Sequence, residues 1–405
     1  MRRIFTAVVL GGTAFTVYAQ STVTLYGTLD SGITYVNNAQ TGKSGGTLVG
    51  HPQTALTDGA LGFGNRWGLR GSEDLGGGLK TIFAIENGFG MNTGVIQQGG
   101  AEFGRQSWVG LSNDLGTVTL GRQYDSYIEA VQLLSILRVW PAYIGTHPDD
   151  VDNLANTNRT NNSIKFRSSV MNGFRVGGMY SFGGVAGNFT QNQIWSLGAS
   201  YSAGPFSFGA GYFNARDPNV SFYGNTPNKG PATANNLGSF GSTTSPQGNP
   251  VFAGYASAKT TQIIGVGATY ALDQTTIGVV VTNPRFESLG SASGPNPLKY
   301  SGSANFINAE LNVSSRLTSS FLLASAFDYT KRNSVNGDGG AKYYQLDFEA
   351  DYSLSKRTDL YALAVLQRAS GRDSLGQPAV ASITGFSPSA TNKQVGFRLA
   401  LLHKF

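Results

Sequence analysis

The chain contains no cysteine among its 405 residues, and only three histidines, His51, His147 and His403. The first absence excludes a disulfide framework, a thiolate nucleophile and any cysteine-based metal centre. The second leaves hydrolytic chemistry almost without a general base. His51 and His147 fall in different long loops, His403 lies near the last residue, and no nucleophile elbow or paired-acid motif accompanies them. Isolated surface histidines are therefore expected, with no triad, metal or cofactor. Gly76-Gly77-Gly78 lacks the spacing of a phosphate loop and reads as a tight turn. Basic runs are also missing: 29 Lys and Arg stand against 23 Asp and Glu, a net charge of +6 without a cationic tail, which argues against nucleic acid as a partner. Beyond residue 19 no stretch approaches the roughly 20 apolar residues that a membrane helix needs.

One apolar run does occur, at the N-terminus. Arg2 and Arg3 precede an apolar segment from Ile4 to about Val17, and Val17-Tyr18-Ala19 offers small residues where a signal peptidase reads. Residues 1–19 are expected to be a cleaved secretory leader, leaving 20–405 as a single domain. Loss of Arg2 and Arg3 leaves 27 basic against 23 acidic side chains, or +4.

Glycine and aromatic residues, in contrast, are plentiful: 55 Gly, 18 Tyr and 24 Phe. Such chains are usually all-β with many tight turns. Period-two alternation is clear in several places. In 343–352, Tyr344, Leu346, Phe348, Ala350 and Tyr352 oppose Tyr343, Gln345, Asp347, Glu349 and Asp351. Between breakers the chain divides into sixteen strands: 22–36, 61–73, 78–90, 102–113, 116–124, 158–168, 173–182, 193–202, 205–215, 260–271, 274–285, 300–312, 319–331, 342–353, 358–369 and 393–405.

The connections settle which all-β architecture this is. Short turns, such as Asp114-Leu115 and Ala203-Gly204, interleave strictly with long loops around 37–60, 91–101, 125–157, 183–192, 216–259, 286–299, 332–341 and 370–392. A sandwich has no reason to gather its long loops at one end; an outer-membrane barrel does. A row of acids and amides on one face of 343–351 would be ruinous in a soluble core but suits a wet lumen. The expected fold is all-β, a sixteen-stranded antiparallel transmembrane barrel of a Gram-negative outer membrane. Loop 216–259, rich in Gly, Asn, Ser, Thr and Pro, is expected to be exposed and partly flexible.

Four segments carry a family resemblance: Thr24-Leu25-Tyr26-Gly27, the stretch from Arg66-Trp67-Gly68-Leu69-Arg70-Gly71 to Leu79-Lys80, Gly116-Thr117-Val118-Thr119-Leu120-Gly121-Arg122-Gln123, and the terminal Leu402-His403-Lys404-Phe405. Ser355-Lys356-Arg357-Thr358-Asp359-Leu360-Tyr361 adds a fifth. Together they resemble the general porins of Gram-negative bacteria, especially the β-proteobacterial type. The resemblance implies passive diffusion of small polar solutes and ions, a homotrimer in outer-membrane lipid and lipopolysaccharide, and a third loop folded into the pore. It also implies that Phe405 is the signal read by the barrel-assembly machinery; an ordinary interfacial aromatic is compatible with that.

Selectivity in such a pore comes from width and from charge at the narrowest level. Arg66 and Arg70 share one face of the second strand, Arg105 lies on the fourth, Arg122 closes the fifth, and Arg159 opens the sixth. These five are expected to form a basic arc, at positions where the family carries pore-lining bases; Thr28 departs from relatives with lysine there. Loop 125–157 carries Asp125, Glu129, Asp149, Asp150 and Asp152, and Asp125 and Glu129 are the acids expected to face the arc. Asp149, Asp150 and Asp152 read equally well as loop caps. The apolar middle of this loop, Val131 to Tyr143, could form a short helix ended by Pro141 and tucked against the inner wall. A substrate-specific channel using Tyr26, Tyr124, Tyr127 and Tyr143, and a non-conducting adhesin or structural barrel, are the alternatives; an enzyme is not expected.

Overall fold

Alternating side chains put one whole face of each strand in one environment, and here all but one of the described strands pair on both edges. The computed structural model describes residues 21–58, 64–223, 235–239 and 249–405. The expected leader 1–19, residues 61–63 of the second expected strand and part of loop 216–259 lie outside them. Among the described residues there are seventeen extended segments: β1 (Thr22–Ser44), β2 (Thr47–Asp58), β3 (Asn65–Gly76), β4 (Leu79–Phe89), β5 (Gln106–Asn113), β6 (Gly116–Gln123), β7 (Thr160–Ser168), β8 (Phe174–Ser181), β9 (Ile194–Ala203), β10 (Phe206–Arg216), β11 (Thr260–Leu272), β12 (Thr275–Leu289), β13 (Gly302–Arg316), β14 (Phe321–Arg332), β15 (Ala341–Ser353), β16 (Thr358–Gly371) and β17 (Lys393–Lys404). β3 pairs with Thr22–Thr28 of β1, and β2 with Ser31–Ser44 on the same flank, so β2 and β3 are two lengths of one stave. The other flank of β1 pairs antiparallel with β17, Thr28 opposite Lys404 through Val36 opposite Gly396. The sheet therefore closes as a sixteen-stranded antiparallel barrel.

The expected loop 37–60 is corrected by this pairing. Its residues 37–58 extend β1 and β2 as a hairpin turned at Gly45-Gly46. The segment is mostly polar and its few apolar residues do not alternate, so period two could not mark it. Loop 216–259 departs from expectation too. Its described part is not an exposed tether: Phe252 and Tyr255 are buried against Phe286 and Phe306.

Burial around the wall is inverted relative to a water-soluble core. On β15, Leu346 is 42 % exposed while Asp347 is fully buried. The same holds on β13, where Ile307, Leu311 and Val313 point out and Asn308, Glu310 and Asn312 point in. Such a surface suits hydrocarbon, and closure pairs both edges of every described strand except β2.

The inner face is occupied by the third long loop. Asp125 caps helix α1 (Ser126–Val131), its Oδ1 accepting from the Ile128 amide at 2.9 Å. The helix thus starts earlier than expected. The predicted helical stretch around Leu133 to Trp140 is instead two 3-10 turns, Gln132–Leu134 and Ile136–Arg138, parted by extended Ser135. Its apolar side chains behave as the sequence implies: Leu134, Ile136, Leu137 and Trp140 are buried with Phe213, Ile263 and Val280, while Leu133 stays exposed.

Glycines make this packing possible. Gly177, Gly198, Gly211 and Gly265 sit opposite one another in register across β8, β9, β10 and β11. A Cβ at Gly198 would lie 2.0 Å from the Ser126 carbonyl oxygen, and one at Gly265 2.6 Å from the Tyr127 ring. Glycine weakens a strand, and such a row marks where another backbone lies flush on the sheet. We predict that Gly198→Val lowers unfolding stability by about 1–3 kcal/mol, the ordinary cost of overpacking. Gly42→Val, where a Cβ meets nothing within 4 Å, is the control. Equal midpoints for both variants in thermal melts would refute the flush packing.

Candidate functional site in the barrel lumen

Between α1 and the wall formed by β1 and β3–β7 lies a cavity of about 750 Å³. Its lining brings together four of the five arginines picked out in the sequence, Arg66, Arg70, Arg105 and Arg159, with Tyr26, Tyr124 and Tyr143. Strand register explains the convergence. Arg66 and Arg70 face inward from β3, and Gln106 and Ser107, which follow Arg105, pair with β4 and β6.

The centre of the cluster is a residue the sequence reading missed. Glu86 on β4 is buried; its Oε1 binds Arg105 Nε at 2.6 Å, and its Oε2 accepts from Tyr26 Oη at 2.9 Å and lies 3.9 Å from Arg66 Nε. Arg105, only 5 % exposed, also donates to Tyr124 Oη at 3.2 Å. The Arg70 guanidinium lies 5.2 Å from the centre of the Tyr26 ring, and that of Arg159 5.8 Å from Tyr124, within the range where ring quadrupoles attract cations. The available signal was an acid at an inward position of the strand next to one with two inward arginines.

The remaining candidates lie nearby or elsewhere. Arg122 stands beside Arg159 but outside the cavity lining, its Nε donating to the Gly104 carbonyl at 2.8 Å and its Nη1 to Asn161 Oδ1. Glu129 reaches the cavity but is held by Lys165 Nζ at 2.6 Å and lies 3.7 Å from Arg167 Nε. Asp125 is spent on the helix cap, away from the arc: a loop acid at a helix start caps the free amides before it can serve a pore. Phe405 closes the seam: its N–H donates to the Gly27 carbonyl and its own carbonyl accepts from the Gly27 N–H, each at 3.1 Å, with its ring over Gly27.

The other end of the loop gives the largest surprise. His147, expected on an outer surface, is buried against Asp152, Glu310 and Asp328. Asp149 accepts from Ser382 Oγ at 3.0 Å, and Asp150 from the Ala155 amide at 2.8 Å and Thr157 Oγ1 at 2.9 Å. Burial pushes the Asp149 carboxyl up to about 8 and that of Asp150 up to about 7. These acids anchor the loop.

The lumen continues beyond the arc. A space of about 230 Å³ shares Thr28, Arg66 and Leu137 with the first cavity. A third, of about 630 Å³, shares Arg138, Val139 and Lys404 with the second and reaches Ser320 and Ser355 at the short-turn rim.

A model of the Gram-negative porin family matches residues 6–372. An outer membrane porin protein of Bordetella pertussis is 33% identical over 189 residues, 45% of this chain and 48% of that protein. Outer membrane porin protein 32 of Delftia acidovorans is 36% identical over 169 residues, 40% and 45% respectively. The match therefore spans about half the length of these relatives. Among solved structures, the anion-selective porin from Comamonas acidovorans superposes with a TM-score of 0.68 at 21% identity, covering 95% of this chain and all of that one. A trimer form of OmpT from Vibrio cholerae superposes at 0.62 with 12% identity, covering 95% and 99%. At those identities the likeness is one of fold.

The Glu86 cluster carries a stability prediction. Glu86→Leu strands the buried Arg105 charge and should cost about 3–5 kcal/mol, whereas the double change Glu86→Leu with Arg105→Met should recover most of it. Urea-unfolding midpoints of the folded barrel check this; a Glu86→Leu protein as stable as the parent would mean that Arg105 is not tied there.

Proposed function

The chain belongs to the Gram-negative porin family, and from that premise we propose that it is an outer-membrane pore for passive diffusion of small hydrophilic solutes and ions, with a mild preference for anions. The observation that carries this reading is the run of three cavities with shared lining residues, leading from loop 3 to the short-turn rim. A lumen lined by ionised groups holds water, and hydrated solutes of fitting width pass without a bond being made or broken.

Charge supplies the preference. The first cavity is lined by Arg66, Arg70, Arg105, Arg159 and Arg167 against Glu86 and Glu129. The excess is positive, and low-dielectric walls focus its field into the channel. Loop 3 narrows the lumen on this side because α1 lies flush on the wall opposite the arc. The Comamonas porin is anion-selective; for this chain the argument rests on its own side chains. Residues 1–19 act as the export leader, Phe405 as the assembly signal, and three copies associate in the membrane, as in the trimer form of OmpT. The tyrosines of the cavity stand beside guanidinium groups, which favours a general pore over an aromatic ladder for one sugar.

Planar-bilayer recording tests the proposal. Purified protein should insert with conductance in three equal steps, and a KCl gradient should give a reversal potential on the anion side. Arg70→Ser with Arg159→Ser should lower the anion-to-cation permeability ratio by roughly twofold or more. Folded protein that inserts without conductance would support a structural barrel instead, and an unchanged potential would sink the wall assignment.

A further inference from the structure

Past its apolar middle, loop 3 is pressed against the wall on the far side of the strand order from the arginine arc. There the wall carries a charge arrangement unlike the rest of the lumen. Glu310 on β13 and Asp328 on β14 are direct register partners. Asp347 on β15 lies two residues off, opposite Ala326 and on the same face, and Asp152 comes from the loop. Like charges opposite one another across strands repel. All four carboxylates are buried, and among the described residues no lysine or arginine forms an ion pair with any of them. One imidazole, that of His147, stands in their midst.

The orientation of that ring matters. Its Nδ1 lies 2.5 Å from Asp152 Oδ2, which also accepts from Thr282 Oγ1 at 2.7 Å. A carboxylate on Nδ1 fixes the tautomer and turns Nε2 into the cluster, the arrangement found behind metal-bound histidines. Nε2 is 3.1 Å from Asp328 Oδ1 and 3.4 Å from Glu310 Oε2, facing two carboxylates at ion-pair distance. Among the described residues, buried Asp328 meets only the His147 imidazole and the Asp347 carboxyl, and no amide or hydroxyl donates to its oxygens. The other Glu310 oxygen is already held, accepting from the Ile136 amide at 2.7 Å. One donor atom each from His147, Glu310 and Asp328 lies within 4.8 Å of the others. The two nitrogen–oxygen separations match the ligand-to-ligand edge of a tetrahedron with bonds of about 2.0–2.1 Å, roughly 3.3 Å.

We propose that a divalent transition-metal ion, Zn²⁺ by preference, fastens loop 3 to the barrel wall through His147 Nε2, Glu310 and Asp328, with Asp152 as the positioning partner of the imidazole. One nitrogen with carboxylate oxygens suits zinc better than magnesium, which demands oxygen ligands and keeps its waters. His147 ligates as the neutral imidazole with its proton on Nδ1 facing Asp152, so the Nε2 lone pair is the one offered to the ion. The ion would join a residue of the loop to two adjacent staves. It would also relieve the repulsion between Glu310 and Asp328. This site is separate from the arginine arc and does not require the pore reading.

Metal binding by the untagged, full-length barrel in detergent tests it. After chelator treatment, ZnCl₂ is titrated by calorimetry and in competition with a chromophoric chelator. One Zn²⁺ per chain is expected, with no comparable binding of Mg²⁺. His147→Gln and Asp328→Asn should each weaken Zn²⁺ at least about tenfold, and His51→Gln and His403→Gln should leave it unchanged. The thermal midpoint of the parent should rise with Zn²⁺, and those of the two site variants should not. Should His147→Gln fail to fold, the visible spectrum of Co²⁺ in the parent decides: a tetrahedral spectrum displaced by Zn²⁺ supports the site. No stoichiometric Zn²⁺, affinity retained without His147 or Asp328, or an octahedral Co²⁺ spectrum would overturn it.

Discussion

In hydrocarbon a backbone amide has no partner except another backbone group, and everything else in this structure follows from that constraint. The seam between β1 and β17 satisfies it, with Phe405 and Gly27 exchanging the last two hydrogen bonds. Once the sheet is closed, every strand has an oily outside and a confined inside. The alternation that puts Leu346 and Phe348 on the outside necessarily delivers Gln345, Asp347 and Glu349 to the inside. A barrel of this size cannot fill its interior with the wall's own side chains. The chain meets that difficulty with a loop.

Loop 3 differs from a typical surface connection because its two halves solve different problems. The first half is apolar and lies on wall glycines, where Ser126, Tyr127 and Ala130 approach to distances that any side chain would block. The second half is polar and hydrogen-bonded, with Gln345 Nε2 donating to the Thr146 carbonyl at 3.0 Å and Ser382 to Asp149. Shape fixes one end and charge the other. Between them the loop divides the lumen, leaving arginines of β3–β7 along the open cavity and Glu310, Asp328 and Asp347 behind the loop. That partition hides one group of acids, and the first cavity keeps an excess of arginines over Glu86 and Glu129.

Reading the chain as a sequence reaches most of this architecture and stops at a definable point. The staves were legible because a membrane strand carries its environment in its own alternation, and Asp114-Leu115 or Ala203-Gly204 can be nothing but a turn. The hairpin at 37–58 was illegible because it is mostly polar and its few apolar residues, Leu48, Val49 and Leu56, keep no period-two order. Arg66, Arg70, Arg105 and Arg159 could be found because each lies on or at the end of a strand whose inward face was known. Their partner Glu86 was overlooked, since pairing across β3, β4 and β5 depends on register. His147 is the extreme case. Its neighbours Glu310 and Asp328 are more than 160 positions away in sequence, and only the fold of the loop makes them neighbours. Asp125 fails differently: its acid was rightly noticed, but a local demand, the unpaired amides at the start of α1, claims it first.

That last contrast bears on how charge in such a lumen should be counted. Tallying acids and bases would set Asp125, Asp149, Asp150 and Asp152 against the arginines and predict a nearly neutral channel. The first accepts a helix amide, the second a serine hydroxyl, the third an amide and a threonine, and the fourth an imidazole. Each is buried away from the open cavity, and for Asp149 and Asp150 burial favours the neutral form besides. What a passing ion meets is the remainder, and the remainder is dominated by guanidinium groups that keep their charge at any working pH. The sign of the field in the channel is therefore set less by composition than by which acids the folding of loop 3 has already used.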